Sequence, residues 1–293
     1  MARLVVVAAM CVVLVAGLAV SAQATQEPRI AYWSDSPIPS LRTVRPDGSG
    51  REEIGRLRNN AKRPDVSPNG RLVAFDGAPP GTPAMRDFNV QLMHLDGTRL
   101  RVLTRGSGAL DVDARWSPDG RTLSFSRMPG GDWKRARVHL VDTRTGAVRF
   151  FTRGQFARWA PGGTRLVVDA PTAESDGDLF LVSADGRTRE RLTSTKELEQ
   201  PTDWSRDGRK ILFTRYFSEG GSDVFELTLA SRTERRLTHG GRSASAVWSP
   251  DGRRIAFTQE ERAVTRLVVA RRDGTGRRYT TPPGVNAFEP TWG

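Results

Sequence analysis

The chain has 293 residues, 37% hydrophobic and 27% charged, with 45 Lys and Arg against 33 Asp and Glu, for a formal charge of +12. Its single cysteine excludes a disulfide-held scaffold, and the mixed, moderately apolar composition argues against intrinsic disorder. Length alone allows one large domain or two ordinary ones.

Arg3 is the only charge before an apolar run from Leu4 to Val20, and small residues follow in Ala22-Gln23-Ala24. This pattern predicts a signal peptide over residues 1–24, cut before Thr25, and hence export to the periplasm or the extracellular side. An uncleaved anchor is the alternative, although the run is short against the roughly 20 residues that cross a bilayer. Cys11 lies inside the run after Met10, where a lipidated cysteine would follow a small residue. Cleavage removes both Cys11 and Arg3. The mature chain, residues 25–293, then carries no thiol and a formal charge of +11.

Ile30 and Tyr32 begin the mature chain with strand alternation, and Leu41 to Leu57 reads as strand, Asp-Gly turn, strand. Val66-Ser-Pro-Asn-Gly70 then opens a repeat. Its later copies are Trp116-Ser-Pro-Asp-Gly120, Trp159-Ala-Pro-Gly-Gly163, Trp204-Ser-Arg-Asp-Gly208 and Trp248-Ser-Pro-Asp-Gly252. A truncated copy, Trp292-Gly293, ends the chain. Each full anchor suits a turn: proline fixes one backbone angle, Asp bonds nearby backbone, and Gly takes the left-handed position. The tryptophans are expected to pack between neighbouring sheets.

Seven and nine residues after each anchor's first position stand Val73 and Phe75, Leu123 and Phe125, Leu166 and Val168, Ile211 and Phe213, and Ile255 and Phe257. A spacing of two puts each pair on one face of a strand. Hairpin signatures follow at Leu92 to Thr104, His139 to Thr152, Leu179 to Thr193, Val224 to Thr238 and Leu267 to Thr280. Spacing near 44 residues with four strands per unit predicts a propeller. The last unit lacks its later strands, and Ile30 and Tyr32 can supply one of them. The expected fold is therefore an all-β, six-bladed propeller whose N-terminal strand completes the last blade and closes the ring.

The repeat of WSPDG, strand and LxxxDGxxxRRLT resembles the propeller repeats of the TolB family, which are related in architecture to WD-type repeats. The resemblance spans residues 28 to about 293. It is specific for fold and much less so for activity. It implies a periplasmic setting. The α/β domain that precedes the propeller in TolB is not expected here, because barely five residues separate Ala24 from the first predicted strand.

Chemistry is harder to find. His94, His139 and His239 form no HExxH and no ligand cluster, so neither metal nor cofactor is expected. Asp111, Asp113, Asp176, Asp178, Glu219 and Asp223 sit where the repeat places loops entering hairpins, which favours structural roles. There is no GxSxG elbow and no Gly-rich phosphate loop. The arginine pairs 235–236, 253–254, 271–272 and 277–278 lie beside turns and read as a solvated basic surface. Attraction to an anionic polymer or lipid surface is a further expectation, and nucleic acid is not an expected partner.

Two loops stand out as candidate binding elements. The first full unit is longer than the others, and its extra residues lie between Asp76 and Phe88. Met85, Arg86, Asp87 and Phe88 could make contacts there. Arg215, Tyr216 and Phe217 open a second such loop, with its aromatic residues expected to be exposed. The expected function is non-catalytic recognition of a protein or a cell-envelope component through these loops. The alternative is a carbohydrate or lactone hydrolase or lyase with its site at the central channel.

Overall fold

The computed structural model describes residues 28–35, 40–56, 62–78, 88–105 and 108–292. The predicted signal peptide, Cys11 and residues 85–87 lie outside them. Strands β1 (Ile30–Ser34), β2 (Ser40–Val44) and β3 (Glu52–Arg56) begin the first blade. Blade two is β4 (Lys62–Val66), β5 (Leu72–Gly77), β6 (Asn89–His94) and β7 (Arg101–Val102). Blade three is β8 (Ala109–Trp116), β9 (Thr122–Pro129), β10 (Arg137–Asp142) and β11 (Val148–Arg153). Blade four is β12 (Ala157–Trp159), β13 (Arg165–Ala170), β14 (Asp178–Ser183) and β15 (Arg189–Arg191). Blade five is β16 (Leu198–Trp204), β17 (Lys210–Tyr216), β18 (Ser222–Thr228) and β19 (Thr233–Arg236). Blade six is β20 (Ser243–Trp248), β21 (Arg254–Glu261), β22 (Val264–Arg271) and β23 (Arg278–Tyr279). The last strand, β24 (Phe288–Trp292), joins the first sheet in the order β24-β1-β2-β3, with Ile30 opposite Trp292. The ring is thus a six-bladed propeller closed by its two terminal strands.

The anchors close as predicted. Ser117 Oγ donates to Asp119 Oδ1 at 2.6 Å, and the same oxygen accepts the Arg121 amide at 3.0 Å. Blades five and six repeat this with Ser205–Asp207 and Ser249–Asp251. Gly120, Gly208 and Gly252 hold φ of 69°, 66° and 66°, a region that costs a residue with a Cβ about 1–2 kcal/mol. The recurrent threonine also has a mechanical reason. Thr104, Thr193 and Thr238 each accept, through Oγ1, the first free amide of the third strand: Val90, Leu179 and Val224. In blade six Thr281, one residue beyond the expected position, does this for Leu267.

The tryptophans do pack between sheets. Trp116 of blade three lies in a cluster with Ala74, Val90 and Leu92 of blade two. Trp204 meets Val167 and Leu179, and Trp248 meets Leu212 and Val224. Burying a tryptophan of this kind is worth about 3–5 kcal/mol against alanine. Two indoles also stitch blades directly: Trp116 Nε1 donates to the Asp65 carbonyl at 3.0 Å, and Trp204 Nε1 to that of Arg158 at 2.9 Å. The paired strand residues Leu123 and Phe125, Ile211 and Phe213, and Ile255 and Phe257 are all buried. One short 3-10 turn, Trp133–Arg135, capped by Asp132, was not expected from sequence. It is too brief to carry a periodic signal.

Candidate functional site

The innermost strands β4, β8, β12, β16, β20 and β24 surround the channel. The residue just before each anchor faces it: Asp65, Arg115, Arg158, Asp203, Val247 and Thr291. Two residues further back, the strand bulges. Arg63, Asp113, Ser245 and Glu289 take left-handed φ of 50°, 56°, 56° and 48°. Ladder register slips at the same places in β4, β8, β20 and β24. A bulge of this kind re-aims a side chain that regular alternation would direct elsewhere. Its freed amide is satisfied from the neighbouring blade. Asp113 N donates to Asp76 Oδ1 at 3.0 Å, and Ser245 N to Thr214 Oγ1 at 3.0 Å.

The charges these positions carry form a chain around the channel. Glu289 Oε1 lies 3.3 Å from Arg63 Nε, and Arg63 Nη1 lies 3.1 Å from Asp76 Oδ2. Asp113 is held by two guanidiniums: Arg115 Nη2 at 2.7 Å on one oxygen and Arg158 Nη1 at 2.7 Å on the other. Arg158 Nε also donates to the Thr202 carbonyl at 3.1 Å, reaching blade five. Asp65 and Asp203 act as staples. Asp65 Oδ2 accepts the Trp116 amide and Asp203 Oδ2 the Trp248 amide, each at 2.8 Å across a blade boundary. Near the other end of the channel Tyr216 Oη donates to Gln200 Oε1 at 3.2 Å.

Burial decides the protonation of most of these acids. It pushes Asp76 up to about 7 against the pull of Arg63, Asp203 up to about 7 and Asp169 up to about 8. Burial would also raise Asp113, but Arg115 and Arg158 overcome it and hold that carboxyl well below the usual range. Burial pushes the Tyr216 hydroxyl up to about 12. A folded-state pKa above the unfolded value means that the folded protein binds the extra proton. Stability from Asp76 and Asp169 is therefore complete below about pH 4 and is lost as pH rises through about 7 to 8. The melting temperature is expected to fall between pH 5 and pH 8, by roughly 1 kcal/mol or more in stability. Asp169→Asn, which mimics the protonated form, should flatten that slope. A thermal midpoint that stays level or rises over this span would contradict the assignment.

The same walls enclose a cavity of about 220 Å³. Four buried polar atoms of its lining residues have no hydrogen-bond partner within the protein: Trp159 Nε1, Trp292 Nε1, Thr202 Oγ1 and Glu289 Oε2. Two are donors, one is an acceptor, and the hydroxyl can be either.

The sequence candidates are distributed differently. Phe88 is buried with Ala78 and Val112 instead of standing free for contacts. β17 extends through Tyr216, so Arg215 and Tyr216 belong to a strand and the loop begins at Phe217. All three are half-buried rather than exposed. Arg215 is paired with Glu199 and Glu234. Phe217 packs on the core cluster around Trp204, under the Arg236 guanidinium. Asp178 pairs with Arg191, and Asp223 with Arg236, as equivalent ion pairs in successive blades. Asp111 pairs with Arg127. The histidines are scattered: His94 ends β6, His239 follows β19, and His139 stands between the rings of Phe125 and Phe150. Of the charged residues at the channel, only Asp113 was weighed from sequence as a candidate for chemistry. Arg63, Asp65, Arg115, Arg158, Asp203 and Glu289 were missed. Their signal is the recurrence of charge one and three residues before the anchors.

Comparison with known proteins agrees with this architecture. The family model of the TolB β-propeller domain matches residues 79–293. The Tol-Pal system protein TolB of Anaeromyxobacter dehalogenans (strain 2CP-C) is 32% identical over 204 residues, which is 67% of this chain. The chain spans 44% of that relative's length. The crystal structure of TolB from Acinetobacter baumannii superposes with a TM-score of 0.75 at 20% identity, covering 90% of this chain and 66% of that one. An oligogalacturonate lyase in complex with manganese matches with a TM-score of 0.57 at 13% identity, covering 85% of this chain and 73% of that one, and shares the fold.

Proposed function

Because the chain belongs to the TolB β-propeller family, we propose that it is an exported recognition module that binds a protein or another envelope component without covalent chemistry. The observation that carries this reading is the channel cavity, walled by polar and charged side chains such as Asp65, Arg115, Arg158 and Gln200. A partner segment offering both donors and acceptors would find groups to pair with along those walls. The loop that begins at Phe217 is the proposed rim of the site, with Tyr216 leading from the rim to the channel.

The raised carboxylates support a second reading, a glycan or lactone hydrolase or lyase at the channel. Their hydrogen bonds weigh against it. Asp65, Asp76, Asp169 and Asp203 each hold a backbone amide, at Trp116, Asp113, Phe156 and Trp248. A group committed to holding the fold is poorly placed to exchange protons with a substrate.

Affinity capture from the native envelope, with mass spectrometry of the retained material, tests the proposal. One stoichiometric partner is expected. Gln200→Ala, which removes a polar group lining the cavity, should weaken its retention about tenfold. Turnover in a glycan or lactone screen, with nothing retained, would reverse the order of the two readings.

A further inference from the structure

Charge is divided unequally between the two ends of the ring. The anchor turn and the outer hairpin turn of each blade lie at one end, and backbone bonds join them: Leu229 N to the Arg209 carbonyl in blade five and Arg272 N to the Arg253 carbonyl in blade six, both 3.0 Å. The remaining loops lie at the other end, where Ser222 N meets the Gly241 carbonyl at 3.0 Å. In blades five and six the anchor-end segments 204–210, 228–235, 248–254 and 271–278 hold eleven Arg and Lys against four Asp and Glu. The loop-end segments 193–199, 216–223, 237–243 and 259–264 hold three against six. The anchor-end face of these two adjacent blades therefore carries a positive excess that their loop end lacks.

That face is rigid and two-dimensional. Anchor turns lie toward the channel, hairpin turns lie at the rim, and the two blades stand side by side. Arg206 Nη1 reaches the Pro250 carbonyl at 3.5 Å and Arg235 Nη2 the Arg272 carbonyl at 3.2 Å, which ties one blade to the next. A groove of about 680 Å³ runs between blades four and five, lined by Arg165, Arg209 and Arg232 with Glu190 and Asp207, and one of about 490 Å³ runs between blades five and six, lined by Arg235 and Arg272 with Glu226 and Asp273; Lys210 lies in both. One buried carboxylate, Glu226, faces Lys210 at 2.7 Å, Arg235 at 3.6 Å and Arg272 at 4.0 Å, so three cations share a single internal counter-charge.

We propose that this anchor-end face of blades five and six docks on an anionic lipid bilayer, with phosphate headgroups entering the two grooves. A bilayer can meet the anchor and hairpin turns of both blades together, because backbone bonds hold each anchor turn beside its hairpin turn. A linear polyanion would follow one groove and leave the other turns unengaged. The reading extends beyond the proposed recognition function and is tested separately from it, since none of the arginines substituted below lines the channel cavity.

Flotation of the full chain with vesicles containing about 30% anionic phospholipid tests this. Retention is expected on these vesicles and not on neutral ones, and it should fall steeply from about 50 mM to about 500 mM salt. Combined Arg209→Glu, Arg253→Glu, Arg271→Glu and Arg278→Glu substitution should weaken it on the order of 100-fold, and the four Gln replacements by less. Circular dichroism confirms that each variant is folded. The loop-end pair Lys196→Glu and Arg242→Glu should leave retention unchanged. Four results would overturn the proposal: retention that survives the anchor-end swap, retention insensitive to salt, stronger binding to a soluble polyanion than to vesicles, and head-to-tail self-association that accounts for the sedimenting material. None of these readouts involves the channel, so failure here leaves the recognition reading standing.

Discussion

Removal of residues 28–34 is expected to leave a protein that no longer melts as a cooperative monomer. The deleted strand carries Ile30 and Tyr32, which are 0% and 1% exposed and pack with Val44, Val247, Ala256 and Leu267. Loss of either side chain alone would cost about 2–5 kcal/mol. Their joint loss, together with both ladders of β1, approaches the whole stability of an ordinary domain, about 5–15 kcal/mol. Two edges would also open: β24 loses its partner on one side of the gap and β2 on the other. Unpaired edges recruit other chains. Size-exclusion chromatography with light scattering should therefore find oligomers or unfolded material. A monomer with an unchanged thermal midpoint would show that the pairing of β1 with β24 does not close the ring.

Asp113→Ala should be the most damaging single substitution in the channel, at about 3–5 kcal/mol. The carboxylate is nearly inaccessible and compensates both Arg115 and Arg158, whose side chains are each 13% exposed. Removing it leaves two guanidiniums without their directly paired carboxylate, with only the more distant Asp65, Asp203 and Glu289 to offset them. Asp113→Asn keeps the volume and should recover only part of the loss. The depressed carboxyl adds a pH signature opposite to that of Asp169. Its stabilisation is present above about pH 4 and is lost as pH falls below that. Chemical denaturation of the wild type and both variants at pH 3 and pH 7 would check this. Equal stability of wild type and Asp113→Ala at pH 7 would remove Asp113 from the network.

The fold was legible because it is written repeatedly. Trp116, Trp204 and Trp248 recur at nearly fixed spacing, and each performs the same packing task, so one reading serves several blades. The closing strand was legible for the same reason, since Ile30 and Tyr32 match Ile255 and Phe257 in pattern. The candidate site was not. Arg158 and Asp113 meet at 2.7 Å although 45 positions separate them, and no local rule pairs them. The left-handed turns at Arg63, Asp113, Ser245 and Glu289 carry no glycine to announce them. Arg215 reads from sequence as the start of a loop, yet the ladder opposite β18 continues through Tyr216.

Sequence by itself determined the number of blades, their internal turns, the Trp packing positions and the closure of the ring. All of these follow from short-range periodicity and from side chains that behave alike in every repeat. Only the tertiary structure decided which charged residues share the channel, which of its acids keep a proton, and which end of the ring carries the excess of arginine. Those properties depend on burial and on distances between blades, and both are set only once six separate sheets have been brought around one axis.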